Sequence, residues 1–257
     1  MSTIVLVQGA VLSILSFDAL ISAPQPERNQ MARDANKTAP KDGEEAQLSR
    51  IQQRNRGLIL NAALDVFSQH GFRGATLDQI ADGSGLSKPN ILYYFDGKED
   101  IHVTLLNQLM DRWLAPLREI DKDGAPLEEL MRYVHRKLEM SQTYPRESRL
   151  FANEILQGAP RIAPHLEADL RPLVDASAAL IEGWIAEGKL APVDARHLIF
   201  SIWATTQHYA DFEVQVKVLT GGADVHEGAK AHLDALFRRL LTPLLPAVSE
   251  SCGRETV

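Results

Sequence analysis

The chain has 257 residues, one cysteine and an excess of acidic over basic side chains that leaves a net charge of −7. That length accommodates one large or two modest domains with a real core. A lone cysteine, Cys252, excludes an intrachain disulfide and a paired-cysteine metal site, fits the reducing cytoplasm, and the acidic balance argues against indiscriminate nucleic-acid binding.

The charge is unevenly spread. Residues 49–98 carry six basic against four acidic side chains, whereas both flanking stretches are net acidic. A short basic segment on an acidic protein can touch DNA while the rest limits non-specific binding. Val, Ile and Thr seldom alternate with polar residues, and Ala, Leu, Glu, Gln and Arg are plentiful. The chain therefore reads as all-α.

At the N-terminus, residues 4–20 are apolar but contain Asp18 and no preceding Lys or Arg, so neither a signal peptide nor a membrane span is expected. Met31 is a candidate start, and residues 23–48, rich in Pro, Asn, Lys, Asp and Glu, read as a flexible arm.

From Arg56 the pattern becomes regular. Leu58, Ile59, Ala62, Ala63, Val66 and Phe67 recur at helical spacing, and Gly71-Phe72 ends that helix. Thr76, with Gln79 three residues on, predicts a capping box opening a second helix, whose buried stripe is Leu77, Ile80 and Ala81. Gly85 supplies the turn, where a left-handed backbone costs glycine little. Ser87 caps a third helix over residues 88–94, with Pro89 in its first turn and Leu92 and Phe95 directed inward. Gly97-Lys98-Glu99 opens a fourth, long helix. Two short helices joined by a glycine turn behind a support helix make a helix-turn-helix, and its geometry puts the third helix in the major groove. Lys88, Asn90 and Pro89 are the candidates for reading bases; Thr76, Ser87, Tyr93 and Lys98 are candidates for the phosphate backbone.

Beyond Lys98 the expectation is helices throughout: residues 101–118 with Pro116 near the end, 127–143, 145–157, one long helix over 164–187, a helix capped by Asp194 and running to Val218, and a last helix over 223–245. Trp113, Trp184 and Trp203 are spread over this half, and Gln207 shares a helix face with Trp203. An indole N–H and an amide on one face suit a flat polar ring; packing in the core or at a dimer face is the competing role for the same residues. His208 and Asp211 have a spacing open to a metal, but no third ligand is placed, so no metal or cofactor is expected. No nucleophile-and-base signature is visible, so no enzyme is expected.

The string Ala62-Ala63-Leu64, Phe67, Gly71-Phe72, Thr76, Ile80-Ala81, Gly85-Leu86-Ser87, Leu92-Tyr93-Tyr94-Phe95 and Lys98-Glu99 resembles the DNA-binding domain of the TetR family. Gly83, Ser84 and Gly97 depart from that pattern, the first two predicting a softened end to the second helix. The stretches around Trp113-Leu114, Ser148-Arg149-Leu150-Phe151, Gly158-Ala159-Pro160 and Ile202-Trp203 through Phe212 resemble the branch of that family that governs pyrimidine utilisation. The resemblance implies a homodimer formed by the last two long helices, a palindromic double-stranded operator, no membrane association, and release by uracil or thymine held by Trp113, Leu114, Trp203 and Gln207, with Arg149, Tyr209 and Asp211 as further candidates. The expected organisation is an N-terminal extension (1–48), a helix-turn-helix domain (49–97), a ligand-binding and dimerisation domain (98–246) and a tail (247–257). A regulator of another catabolic or efflux operon, or a helical ligand-binding or enzymatic protein without DNA binding, are the alternatives.

Overall fold

A computed structural model describes residues 42–243, with side chains from Arg50 onward. The apolar start, Met31 and Cys252 lie outside them. Every described element is helical: α1 Asp42–Gly74, α2 Leu77–Ser84, α3 Lys88–Tyr94, α4 Lys98–Arg118, α5 Pro126–Thr143, α6 Pro145–Leu156, α7 Ala163–His165, a π-helical turn Leu166–Leu170, α8 Arg171–Ala186, α9 Ala195–Asp211, α10 Glu213–Leu219 and α11 His226–Leu241. Two compact units divide between Leu105 and Leu106, within α4.

In the first unit, α1 buries Ile59, Leu60, Ala63, Leu64 and Phe67. Gly71, at φ 63°, breaks it before Gly74. Helix α1 begins at Asp42, so residues 42–48, expected in the flexible arm, are helical; nothing in the fold explains that earlier start. The capping box at Thr76 forms, with Gln79 N–H donating to Thr76 Oγ1 at 3.2 Å and Thr76 N–H donating to Gln79 Oε1 at 2.8 Å. Helix α2 is intact through Ser84. Its Gly83 is a packing residue: a Cβ there would lie 3.3 Å from Ala62 Cβ, so the missing side chain lets α2 approach α1 closely. Gly85 adopts the left-handed conformation, and Ser87 caps α3.

One inward assignment is corrected. Ile91 and Phe95 fill the interior from α3, whereas Leu92 is 48% exposed. With Ile91 and Phe95 one turn apart, the next residue is rotated about 100° away and lies on the outer side with Tyr93. Likewise Leu77 and Ala81 are half-buried, leaving Ile80 as the fully buried residue of α2.

The second unit is built around α5. Leu130, Val134 and Leu138 pack with Ile181 and Trp184 of α8, Leu198, Ile199 and Ile202 of α9, and Leu233 and Phe237 of α11. Trp184 is thus core packing. Asp194 caps α9 as expected, accepting from His197 N–H at 2.8 Å. Two long helices are interrupted. The run expected over 164–187 contains the π-helical turn, and the run expected to reach Val218 breaks at Phe212, between α9 and α10. The π-helical turn is flanked by Pro164 and Pro172, and Pro172 has no N–H to bond back into it, whereas the break at Phe212 has no glycine or proline at it.

Candidate functional site

The outward face of α3 carries Lys88, Pro89, Asn90, Leu92 and Tyr93, all exposed, Tyr93 at 66%. The face exists because the helix has seven residues and spends Ile91 on the interior. Lys88 Nζ pairs with Asp78 Oδ2 at 3.0 Å, tying the candidate recognition helix to the first turn of α2. Tyr94, beside Tyr93, turns inward and accepts from Asn55 Nδ2 at 3.1 Å. Arg56 stacks its guanidinium 4.3 Å from the Phe95 ring centre and donates to Tyr94 O at 3.4 Å, fastening α1 to the end of α3.

Two phosphate candidates have other employment. Thr76 commits its own N–H and its hydroxyl to the Gln79 side chain, so the donors open to an anion at the start of α2 are the first-turn N–H groups beyond it. Lys98 Nζ donates to Phe72 O and Ala75 O, each at 2.7 Å, and lies over the Phe72 ring. Its ammonium therefore staples the α1–α2 turn to the start of α4. Ser87 accepts from Asn90 N–H at 3.4 Å and is a cap first. Leu92, which the sequence expectation turned inward, joins this outward face as a further candidate contact. An exposed leucine beside Tyr93 offers apolar contact of the kind a thymine methyl takes.

In the second unit, Trp113 and Leu114 are buried near the end of α4, each about 6% exposed. Trp203 and Gln207 lie half-buried on α9, one turn apart. Helix α5 connects the two tryptophans. Its Tyr133 accepts from Trp203 Nε1 at 2.6 Å. One turn on, Lys137 holds its ammonium 5.2 Å from the Trp113 ring centre. Further along the Trp203–Gln207 face, Asp211 accepts a hydrogen bond from the Ser148 hydroxyl of α6 at 2.5 Å. Trp113 and Trp203 thus meet one face of α5 at Lys137 and Tyr133, Asp211 interacts electrostatically with Lys137, and Gln207 lies between Trp203 and Asp211 along α9.

The electrostatics of the cluster follow from burial. Burial pushes the Tyr133 phenol above its ordinary value, so it remains protonated. Burial pushes Lys137 down to about 7, with Asp211 opposing the shift. Burial raises the Asp211 carboxyl, opposed by Ser148, Arg149, His208 and Lys137. The indole N–H of Trp203, expected to face a ligand, is already donated to Tyr133. The Trp113 N–H is the one that has no partner. Arg149 donates to Glu213 at 2.9 Å, and Tyr209 packs against the core of this unit. Tyr133 and Lys137 were absent from the sequence expectation because an isolated Tyr or Lys on an amphipathic helix carries no signal of burial. Among the described residues no group of three or more metal-ligating side chains gathers.

The chain holds a helix-turn-helix and a helical unit with a polar, aromatic interior, and comparison with known proteins places it. Residues 59–103 match the family model of bacterial regulatory proteins of the tetR family, and residues 106–244 match that of the YcdC-like C-terminal region. The chain belongs to the TetR family of DNA-binding transcriptional regulators. It is 52% identical over 173 residues to the HTH-type transcriptional regulator RutR of Escherichia coli K12, covering 67% of this chain and 82% of that protein. Its fold is similar to that of KstR2, a ketosteroid transcriptional regulator of Mycobacterium tuberculosis, with TM-score 0.59 at 22% identity over 73% of this chain and 95% of that one. It is also similar to the transcriptional regulator SCO4942 of Streptomyces coelicolor, with TM-score 0.56 at 22% identity over 74% and 99%. Among the described residues no helix is long and apolar enough to cross a membrane.

Proposed function

We propose that the chain is a repressor of pyrimidine utilisation that binds a palindromic operator as a homodimer and is released by uracil or thymine. The observation that carries the effector reading is the convergence of Trp113 and Trp203 on one face of α5, with Gln207 beside them. Two indoles supply flat walls for a planar ring, and the Gln207 amide, donor and acceptor together, matches the edge of a cyclic imide. The identity to RutR and the sequence resemblance to pyrimidine regulators support the same choice.

Release follows from the continuity of α4. The helix bears Lys98, which staples the helix-turn-helix, at one end and Trp113 and Leu114 near the other. A ligand that binds the Trp113 end better in one conformation than another shifts the population of helix positions, and with it the spacing of two recognition helices on DNA. Lys88, Pro89, Asn90, Leu92 and Tyr93 face the groove; Thr76, Ser87 and Lys98 hold the helix ends that approach phosphates. Exposed Phe200 on α9 and Leu236 and Leu240 on α11 are apolar surface that a second copy would cover.

The test is operator binding, by fluorescence anisotropy on DNA from upstream of the protein's own gene, titrated with uracil and thymine. Operator affinity falls as either base saturates; unchanged affinity at saturation would sink the effector reading. Gln207→Ala is expected to shift the uracil response to higher concentration while leaving ligand-free DNA binding intact.

A further inference from the structure

Lys137 is the least expected residue of the second unit. It is 2% exposed, yet its ammonium donates no hydrogen bond and sits in no ion pair among the described residues; its neighbours are the Trp113 ring and, electrostatically, Asp211. A buried ammonium without hydrogen bonds is costly, because nothing replaces the water it gave up. Asp211 is half-buried; one carboxylate oxygen accepts from Ser148, and among the described residues it makes no ion pair with the lysine whose charge it feels. The third member is the Trp113 indole N–H, buried and unpartnered. Two donors without a hydrogen-bond partner among the described residues, the Lys137 ammonium and the Trp113 N–H, therefore meet at one aromatic ring, and the half-buried Asp211 carboxyl interacts electrostatically with the lysine from a third helix. Lys137 is a turn beyond Tyr133, and Asp211 a turn beyond Gln207, so the group continues the Trp203–Gln207 face.

The geometry points to a second recognition edge in the effector site: Lys137 and the Trp113 indole N–H donate to a ring carbonyl, while Asp211, held by Ser148, accepts from the adjacent ring N–H. This rests on the pyrimidine reading and deepens it. A cyclic amide presents that carbonyl and N–H side by side on one edge, and a charged donor facing a carboxylate reads both at once. Gln207 then takes a different edge of the same ring. The lysine and aspartate are kept in the interior because the ligand satisfies them, which makes them determinants of specificity and not of folding. A site built to hydrogen-bond an N–H strongly rejects an analogue that lacks it.

The test compares uracil with 1,3-dimethyluracil, which keeps both carbonyls and loses both N–H groups, by isothermal titration of the purified dimer or monomer as it exists in solution. Wild type binds uracil and does not bind the dimethyl analogue. Lys137→Met and Asp211→Asn each weaken uracil binding about 10- to 100-fold, the loss expected for a hydrogen bond to a charged group. Ligand-free operator binding is unchanged in both, and Lys137→Met melts no lower than wild type, since methionine fills the same volume without a buried charge. A lysine needed only for structure gives the opposite pattern, a lowered melting point with ligand affinity retained, and overturns the proposal. Should Lys137→Met fail to fold, Asp211→Asn decides alone. Uracil binding as tight as wild type in the folded variants overturns this proposal and leaves the pyrimidine reading standing. Failure of wild type to bind uracil or thymine removes that reading, and the proposal with it.

Discussion

Lys88 and Lys98 look alike in the sequence, two basic side chains at starts of helices in a net-basic segment, and the structure separates them. Lys98 spends its three donors and its charge on two carbonyls and the Phe72 ring, so its contribution is to hold α4 against the α1–α2 turn. Lys88 is exposed, and its partner Asp78 is more exposed still. Exposed pairs of this kind are worth about 0.2–1 kcal/mol, little enough for a phosphate or a guanine to displace. Removing the carboxylate releases that competition and one repulsive charge. Asp78→Asn is therefore expected to tighten binding to both operator and unrelated DNA by a few-fold at low salt, with the gain fading as salt rises. Anisotropy at two ionic strengths checks this, and equal affinities for variant and wild type would contradict it.

At the scale of elements, the short helices owe their ends to single side chains. Helix α2 has eight residues, too few to persist on propensity, and its first turn is closed by the reciprocal Thr76–Gln79 bonds. Thr76→Ala is expected to cost about 1 kcal/mol in urea denaturation and to weaken operator binding beyond that cost, because the frayed turn presents its N–H groups to phosphate less well. Such ends were readable from sequence: Thr76, Gly85, Ser87 and Asp194 act on backbone within three residues, and their chemistry is local. What was not readable depends on distant partners. Ile91 and Leu92 are equivalent in a seven-residue helix until α1 and α4 choose the inner face. The break at Phe212 has no glycine or proline to announce it, whereas Pro172, just past Leu166–Leu170, was a readable signal that the expectation of one long helix ran through. The tryptophans and glutamine of the candidate effector site came from resemblance, whereas Lys137 escaped notice because a lysine on an amphipathic helix is ordinarily solvated.

For the whole molecule, the buried lysine makes stability depend on pH in a direction opposite to that of a surface cation. Burial lowers Lys137 from its ordinary 10.5 to about 7. Between those values the unfolded chain holds a proton that the native lysine has released, so stability rises with pH from about 7 toward 10.5; below about 7 both states are charged and that gain is gone. The half-buried Asp211 carboxyl, raised by desolvation, acts oppositely and at lower pH: its native form keeps a proton that the unfolded chain loses, so its part declines as pH climbs through the carboxylate range. Ser148, Arg149, His208 and Lys137 all act on the Asp211 carboxyl against that shift. Denaturation midpoints between pH 7 and 9.5 are expected to increase in wild type relative to Lys137→Met, in which this component is missing. Parallel profiles for the two proteins would show that the lysine is not the source.

Helix α4 runs unbroken from Lys98 to Arg118, and the boundary between the two compact units falls inside it. Each added residue advances the chain by about 1.5 Å and rotates it by about 100°. Insertion of one residue after Leu105 would carry Trp113 to another azimuth relative to Lys98, whereas insertion of seven returns it nearly to the original bearing at a greater distance. The number of residues in α4 between Lys98 and Trp113 thus sets the bearing of one side chain relative to the other along that helix.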